Sequence, residues 1–204
     1  MATLFSDAFA SLDTANWSVE FGTIGITLGR LSFTGSGAAF NWLQTKVAAH
    51  AALLDGSAQV GPSQGGYDCG PMLRVSGATT SPTCYYLDCV EGTTTAGIYR
   101  RITGVDTLVT NVTLGTAAAT SDVFKFQATG SGSTVTFKVF QNGTQQDTDK
   151  LDTNGARIVT AGRTGLVSWN GTSRMDNFLV EDVAVAEEAY VGRDMPLAFS
   201  QLMG

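Results

Sequence analysis

The side chains of this 204-residue chain that could do chemistry are its acids, a single histidine, three cysteines and a few strand-borne aromatics. Asp147-Thr148-Asp149 puts two carboxylates on one face of an extended segment, with Asp152 close behind. Their place beside the Asn142-Gly143 dipeptide reads as a solvated strand end and loop. They resemble an ion-binding loop only faintly, because the glycine and distal glutamate of an EF-hand are missing. Leu87-Asp88-Cys89-Val90-Glu91 alternates poorly for a paired acid–base site, since Asp88 and Glu91 would point to opposite faces. His50 lies in an Ala/Leu run and reads as a packed side chain rather than a base. There is no Gly-x-Ser-x-Gly, and no Cys–His pair with an orienting neighbour. One histidine without a Cys-x-x-Cys also excludes a zinc site.

Cys69, Cys84 and Cys89 are too few and too clustered for a secreted disulfide framework. Cys84 and Cys89 would sit on opposite faces of one strand, too far apart to bridge. A hairpin turning near residues 78–80 would bring Cys69 opposite Cys89, leaving either a bridge or, more simply, two buried thiols. Among aromatics, Trp42, Tyr67, Tyr99 and Trp169 are candidate sugar platforms. Each also has the reading of an ordinary core or sheet-surface residue.

The elements that must carry these residues are strands. Val135, Phe137 and Val139 alternate with polar neighbours and run into Asn142-Gly143, a pair favoured in type I′ hairpins. Residues 144–150 form the return strand. A second such unit runs from 166–169 through Asn170-Gly171 to 175–183, where Asp176, Phe178 and Val180 are expected on one face. Further strands are expected at 17–21, 25–28, 30–33, 38–44, 57–60, 67–75, 83–91, 97–102, 107–113 and 123–128. Residues 45–54 read either as a short helix or as a strand. Many short strands separated by Gly-, Ser- and Thr-rich turns mean a sandwich or barrel.

Composition agrees. Charged residues make up 15%, and 24 glycines accompany only 4 prolines. A net charge of −6 and scattered Lys and Arg exclude a phosphate-binding surface, so no nucleic-acid partner is expected. Arg100-Arg101 reads as one exposed and one strand-facing side chain. Residues 47–54 form the longest apolar stretch and contain His50, far short of the roughly 18 apolar residues of a spanning helix, so no membrane insertion is expected. Met1-Ala2-Thr3-Leu4-Phe5 has no basic n-region, and synthesis in a cytoplasm without a signal peptide is expected.

Several stretches resemble the laminin-G-like domains of the concanavalin A-like superfamily. Phe5-Ser6-Asp7-Ala8-Phe9 with Asn16-Trp17 resembles their opening, and Gly70-Pro71-Met72-Leu73-Arg74-Val75 with Tyr85-Tyr86-Leu87 their central hairpin. Residues 135–143, then 162–169 with Met175-Asp176-Asn177-Phe178-Leu179-Val180, resemble the later strands. The resemblance spans residues 5–183 and implies an all-β, antiparallel two-sheet jelly-roll sandwich with one concave sheet. Such domains include lectins, glycan-cleaving enzymes and structural modules, so the fold does not select a function. The enzymes carry several acids on alternate positions of one concave strand; no Glu-x-Asp-x-Glu is present here, so no catalytic residues are assigned. The resemblance also implies a structural calcium, with Asp176 at the acidic position of the closing strand and Asp7 nearby. Asp176 is equally readable as a buried acid accepting backbone hydrogen bonds.

Alternation ends near residue 184. The domain is therefore placed at 1–183 and a C-terminal tail at 184–204, where Met195, Leu197, Phe199 and Leu202 present apolar side chains. The tail either folds back or docks on a neighbouring subunit as an assembly arm. Domains of this kind mostly work outside cells, yet signal and disulfide framework are absent. A phage-like virion surface resolves that tension. The expectation is a non-enzymatic capsid decoration or tail-associated protein, partnered by copies of itself or by other virion proteins. A carbohydrate-binding adhesin for cell-surface glycan is the first alternative, and a glycan hydrolase the second.

Overall fold

The computed structural model describes residues 2–33, 41–47, 53–61, 68–77, 81–169 and 173–183. His50, Tyr67, Asn170-Gly171 and the tail with Met195, Leu197, Phe199 and Leu202 lie outside the described residues. Among those described, every regular element is a strand. The first half runs β1 (Ala2–Asp7), β2 (Trp17–Phe21), β3 (Ile24–Thr27), β4 (Arg30–Phe33), β5 (Asn41–Thr45), β6 (Gly56–Val60), β7 (Asp68–Ser76) and β8 (Thr83–Val90). The second runs β9 (Thr95–Ile102), β10 (Val105–Thr113), β11 (Phe124–Thr129), β12 (Val135–Gln141), β13 (Thr144–Asp152), β14 (Arg163–Ser168), β15 (Arg174–Met175) and β16 (Phe178–Asp182).

They build a jelly-roll sandwich. One sheet has the order β1-β16-β6-β11-β12-β13, the other β10-β9-β8-β7-β14-β5-β2, and β15-β4-β3 form a small third sheet. All the pairings are antiparallel. Alternation sets the core: Val135, Phe137 and Val139 of β12 meet Phe126 of β11 and, from the facing sheet, Tyr85, Leu87 and Ile98. Asn142 and Gly143 both have positive φ, 53° and 80°, as a type I′ hairpin requires.

Several sequence expectations are corrected. The expected strand 175–183 is broken: Asn177 adopts φ 49°, so Met175 and Phe178, three residues apart, are both buried and Asp176 falls between two strands. Strand β1, unread in the sequence, shows no alternation because it is an edge strand with an irregular register on β16. Arg100 and Arg101 are both buried, on opposite faces of β9. Asp147 and Asp149 are exposed on β13, as the return strand implied, whereas Asp152, expected in a loop, is the strand's last residue and is buried.

Asp152 is the clearest departure. It is 2% exposed and sits where the two large sheets meet. Tyr85 Oη donates to Asp152 Oδ2 at 2.7 Å, and Arg100 Nη1 donates to both oxygens at 3.0 and 2.8 Å. Asn154 N donates to Oδ1 at 3.0 Å, and Ile158 N donates to Tyr85 Oη at 2.8 Å. A second tie is Arg74, where φ of 55° shifts the alternation of β7 and turns the side chain inward. Its guanidinium donates to the carbonyls of Leu54, Ile158 and Gly130. Removing one partner of a buried pair strands the other charge. Asp152→Ala is therefore expected to destabilise the domain by about 3 kcal/mol in chemical denaturation. Leu151→Ala, at a side chain 54% exposed, should cost below about 0.5 kcal/mol.

Candidate functional site

The register of the seven-stranded sheet decides which residues share its outer face. Tyr85 of β8 opposes Arg100 of β9, and both turn inward to Asp152. The next pairs must turn outward: Tyr86 opposite Tyr99, Cys84 opposite Arg101, Asp88 opposite Gly97. In β7, Cys69 opposes Cys89 on the inner face, so Asp68, one residue earlier, faces outward as the diagonal neighbour of Asp88. Asp106 of β10 opposes Arg101, and Trp169 follows β14 with its N–H bonded to the Asp68 carbonyl at 2.8 Å.

These side chains enclose a cleft of about 330 Å³ lined by Asp68, Tyr86, Asp88, Tyr99, Asp106 and Trp169. Its floor is apolar, made by Trp42, Met72, Val75, Cys84, Tyr86 and Val167. The rings of Tyr86 and Tyr99 stack with centroids 5.1 Å apart and planes 8° from parallel. Gly97 permits this placement, since a β-carbon there would lie 2.5 Å from the Tyr99 ring. The Arg101 guanidinium lies 5.9 Å from the centre of the Trp169 ring and forms an ion pair with Asp106.

The electrostatics are unbalanced. Asp68 and Asp88 are diagonal neighbours on adjacent strands, and Asp106, two strands from Asp88, lines the same cleft, with Arg101 as the cation among the residues just named. Burial first, then the charge of Asp68 and a hydrogen bond with it, push the Asp88 carboxyl up to about 7. Asp88 Oδ1 and Asp106 Oδ1 are shielded from solvent and receive no hydrogen bond. Burial, then Asp106, raises the Tyr86 phenol, and burial, then Asp88, raises that of Tyr99, so both stay neutral. The arrangement offers ring faces for apolar surface and carboxylate oxygens in need of donors. The three cysteines are buried free thiols, and burial raises each, Cys69 to about 12, so none offers a thiolate to the cleft.

Of the aromatic candidates, Tyr99 and Trp169 line the cleft. Trp42 is 0% exposed beneath it, so its ring is floor and presents no face to a ligand. Asp68 and Asp106 escaped the sequence reading, because their partner lies across the sheet and not along the strand.

Asp7 and Asp176 sit elsewhere. Asp7 accepts from Phe9 N and from Trp17 Nε1, both at 2.7 Å, anchoring the indole in the core. Asp176 accepts from Asn177 N at 2.8 Å and faces Arg30 Nε at 3.8 Å. Both carboxylates thus have partners within the protein, and Asp176 has a cation beside it. No group of three or more acids, histidines or cysteines placed to hold a metal occurs among the described residues.

The raised Asp88 group makes stability depend on pH. The folded state holds its proton up to about pH 7, while an unfolded aspartate releases it near the ordinary value of 3.8. The stability this contributes is complete below the unfolded value and is lost as pH rises through the folded one. Relative to the parent, Asp88→Asn should therefore gain on the order of 4 kcal/mol between about pH 4 and pH 8. Urea titrations at the two pH values measure it.

No family model matches the chain, and no curated protein matches its sequence. Solved structures do match its fold. A carbohydrate-binding module, CBM66 from Bacillus subtilis, superposes with a TM-score of 0.63 at 15% identity, covering 81% of this chain and 95% of that one. A Bacillus subtilis protein of unknown function with a galectin-like fold gives 0.59 at 14%, covering 89% and 96%. The exoplasmic/lumenal domain of VIP36, in a form bound to Ca²⁺ and Man3GlcNAc, gives 0.55 at 11%, covering 89% and 92%. At such identities the likeness is one of fold, and the fold is lectin-like.

Proposed function

We propose that this chain is a carbohydrate-binding module whose ligand lies in the cleft on the outer face of the seven-stranded sheet. The observation that carries the reading is the lining itself. Tyr99 and Trp169 offer ring faces to the C–H faces of a sugar, while Asp68, Asp88 and Asp106 offer acceptors to its hydroxyls. The likeness to a carbohydrate-binding module and to a glycan-bound domain supports the same reading. The likeness supports this reading better than virion assembly, since none of the structures named above is a virion protein.

Binding is favoured over cleavage by the acids themselves. Glycan hydrolysis by two carboxyls needs them about 5–10 Å apart, one on each side of the bond. Asp68 and Asp88 are close enough to share a hydrogen bond, so these two act as one unit and not as a separated acid and nucleophile.

Calorimetric titration of the whole chain against a panel of neutral and charged oligosaccharides tests the proposal. Saturable binding is expected, weakened about tenfold or more by Trp169→Ala with the circular dichroism spectrum unchanged. Failure of every sugar to bind would overturn the reading.

A further inference from the structure

We infer that the cleft selects sugars bearing a free amino group and rejects sugars bearing a carboxylate or sulfate. This inference rests on the carbohydrate-binding reading and adds to it the charge of the ligand. The count of charges comes first. Three carboxylates, Asp68, Asp88 and Asp106, line the cleft, and Arg101 at its wall is engaged by Asp106. An anionic sugar would bring a further negative charge to a site already in excess of it, at partly buried positions where water screens little.

The second strand of the argument is geometric. Asp88 lies opposite Gly97, over which the Tyr99 ring lies, so β9 sets a ring and no charge directly across from its carboxylate. The groups that face it are Asp68 from β7, Tyr86 from its own strand, Tyr99 and Arg101 from β9, Asp106 from β10 and Trp169 beyond β14. Of these Arg101 carries positive charge, and its ion pair is with Asp106. Asp88 Oδ1 and Asp106 Oδ1 both lack a donor. An ammonium group is a compact cation with three donors, matched to the Asp68–Asp88 pair, which otherwise shares a hydrogen bond through the proton on Asp88. Its arrival displaces that proton to solvent, and no other bond changes. Tyr99 and Trp169 hold the ring that carries it.

The proton held by Asp88 makes the selection depend on pH. Below about pH 5 the proton competes with the ammonium, and from there towards about pH 7 the competition fades, so affinity for the amino sugar rises. A neutral sugar has no such rise to share.

The test compares three oligosaccharides of equal length, built from glucosamine, N-acetylglucosamine and glucuronate, by titration of the whole chain. At about pH 7 the glucosamine oligomer is expected to bind about tenfold more tightly than its N-acetylated counterpart, the ratio falling towards one near pH 5. The glucuronate oligomer should show no saturable binding. Asp88→Asn should collapse the ratio, and Trp169→Ala should weaken the amino sugar as well. The second variant separates the cleft from general attraction to a chain of net charge −6. Equal binding of the amino and N-acetyl forms, tighter binding of glucuronate, or a ratio indifferent to Asp88→Asn overturns this inference and leaves the carbohydrate reading standing. If no oligosaccharide binds at any charge, the carbohydrate reading itself falls.

Discussion

One buried carboxylate, Asp152, governs how the two large sheets meet. It belongs to β13 of the six-stranded sheet, yet its hydrogen bonds reach Tyr85 and Arg100 on β8 and β9 of the other. Few arrangements satisfy a buried acid, a buried arginine and a phenol together, and each unsatisfied member would carry a desolvation penalty. The network therefore selects one register between β8 and β9. With Tyr85 and Arg100 fixed inward, strand geometry leaves Tyr86, Asp88, Tyr99 and Arg101 nowhere to go but the outer face. A slip by one residue would bury Asp88 in the apolar core and expose Leu87. The inner lock and the outer cleft are thus two sides of one pairing.

The cleft is locally unfavourable, and that bears on its role. A fold seeking stability alone would not set Asp68 diagonal to Asp88 and close Asp106 over the same space. The raised Asp88 carboxyl shows the strain in electrostatic form: the group keeps a proton that an ordinary aspartate would lose. Groups held against their preference cluster where binding or chemistry occurs. The cysteines make a useful contrast. Their thiols are raised as well, but by burial among the packed side chains of the core.

Strand alternation made most of the fold readable in the sequence. The β12–β13 hairpin announced itself through Val135, Phe137, Val139 and Asn142-Gly143, because a half-buried strand and a type I′ turn leave local signatures. β1 left none, since an edge strand packs by tertiary pairing. The break at Asn177 was hidden because positive φ at an asparagine is a backbone state and not a pattern of residue types. For the site, Tyr99 and Trp169 could be picked out as residue types, but nothing local distinguished them from Trp42, which burial makes part of the floor. The acids were lost for another reason. Searching along one strand finds Asp88 with Glu91 and dismisses the pair, whereas the partner sits across the hairpin. The expected opposition of Cys69 and Cys89 already contained that answer, because it places Asp68 beside Asp88.

The placement of the cleft on strands, in place of loops, shapes what it can discriminate. The Tyr86 and Tyr99 rings are held by cross-strand stacking, and Gly97 leaves them the room to lie flat. Rings ordered before a ligand arrives lose little freedom when it binds, so their contribution to affinity is not spent on ordering the site. They are also tolerant, since a flat ring face accepts the apolar side of many sugars. Discrimination must then come from the polar groups, and here those are almost all of one sign. Asp68, Asp88 and Asp106 accept hydrogen bonds from any hydroxyl but distinguish sharply between an ammonium and a carboxylate. In the proposed reading the aromatics decide that a sugar binds, and the carboxylates decide which charge it carries.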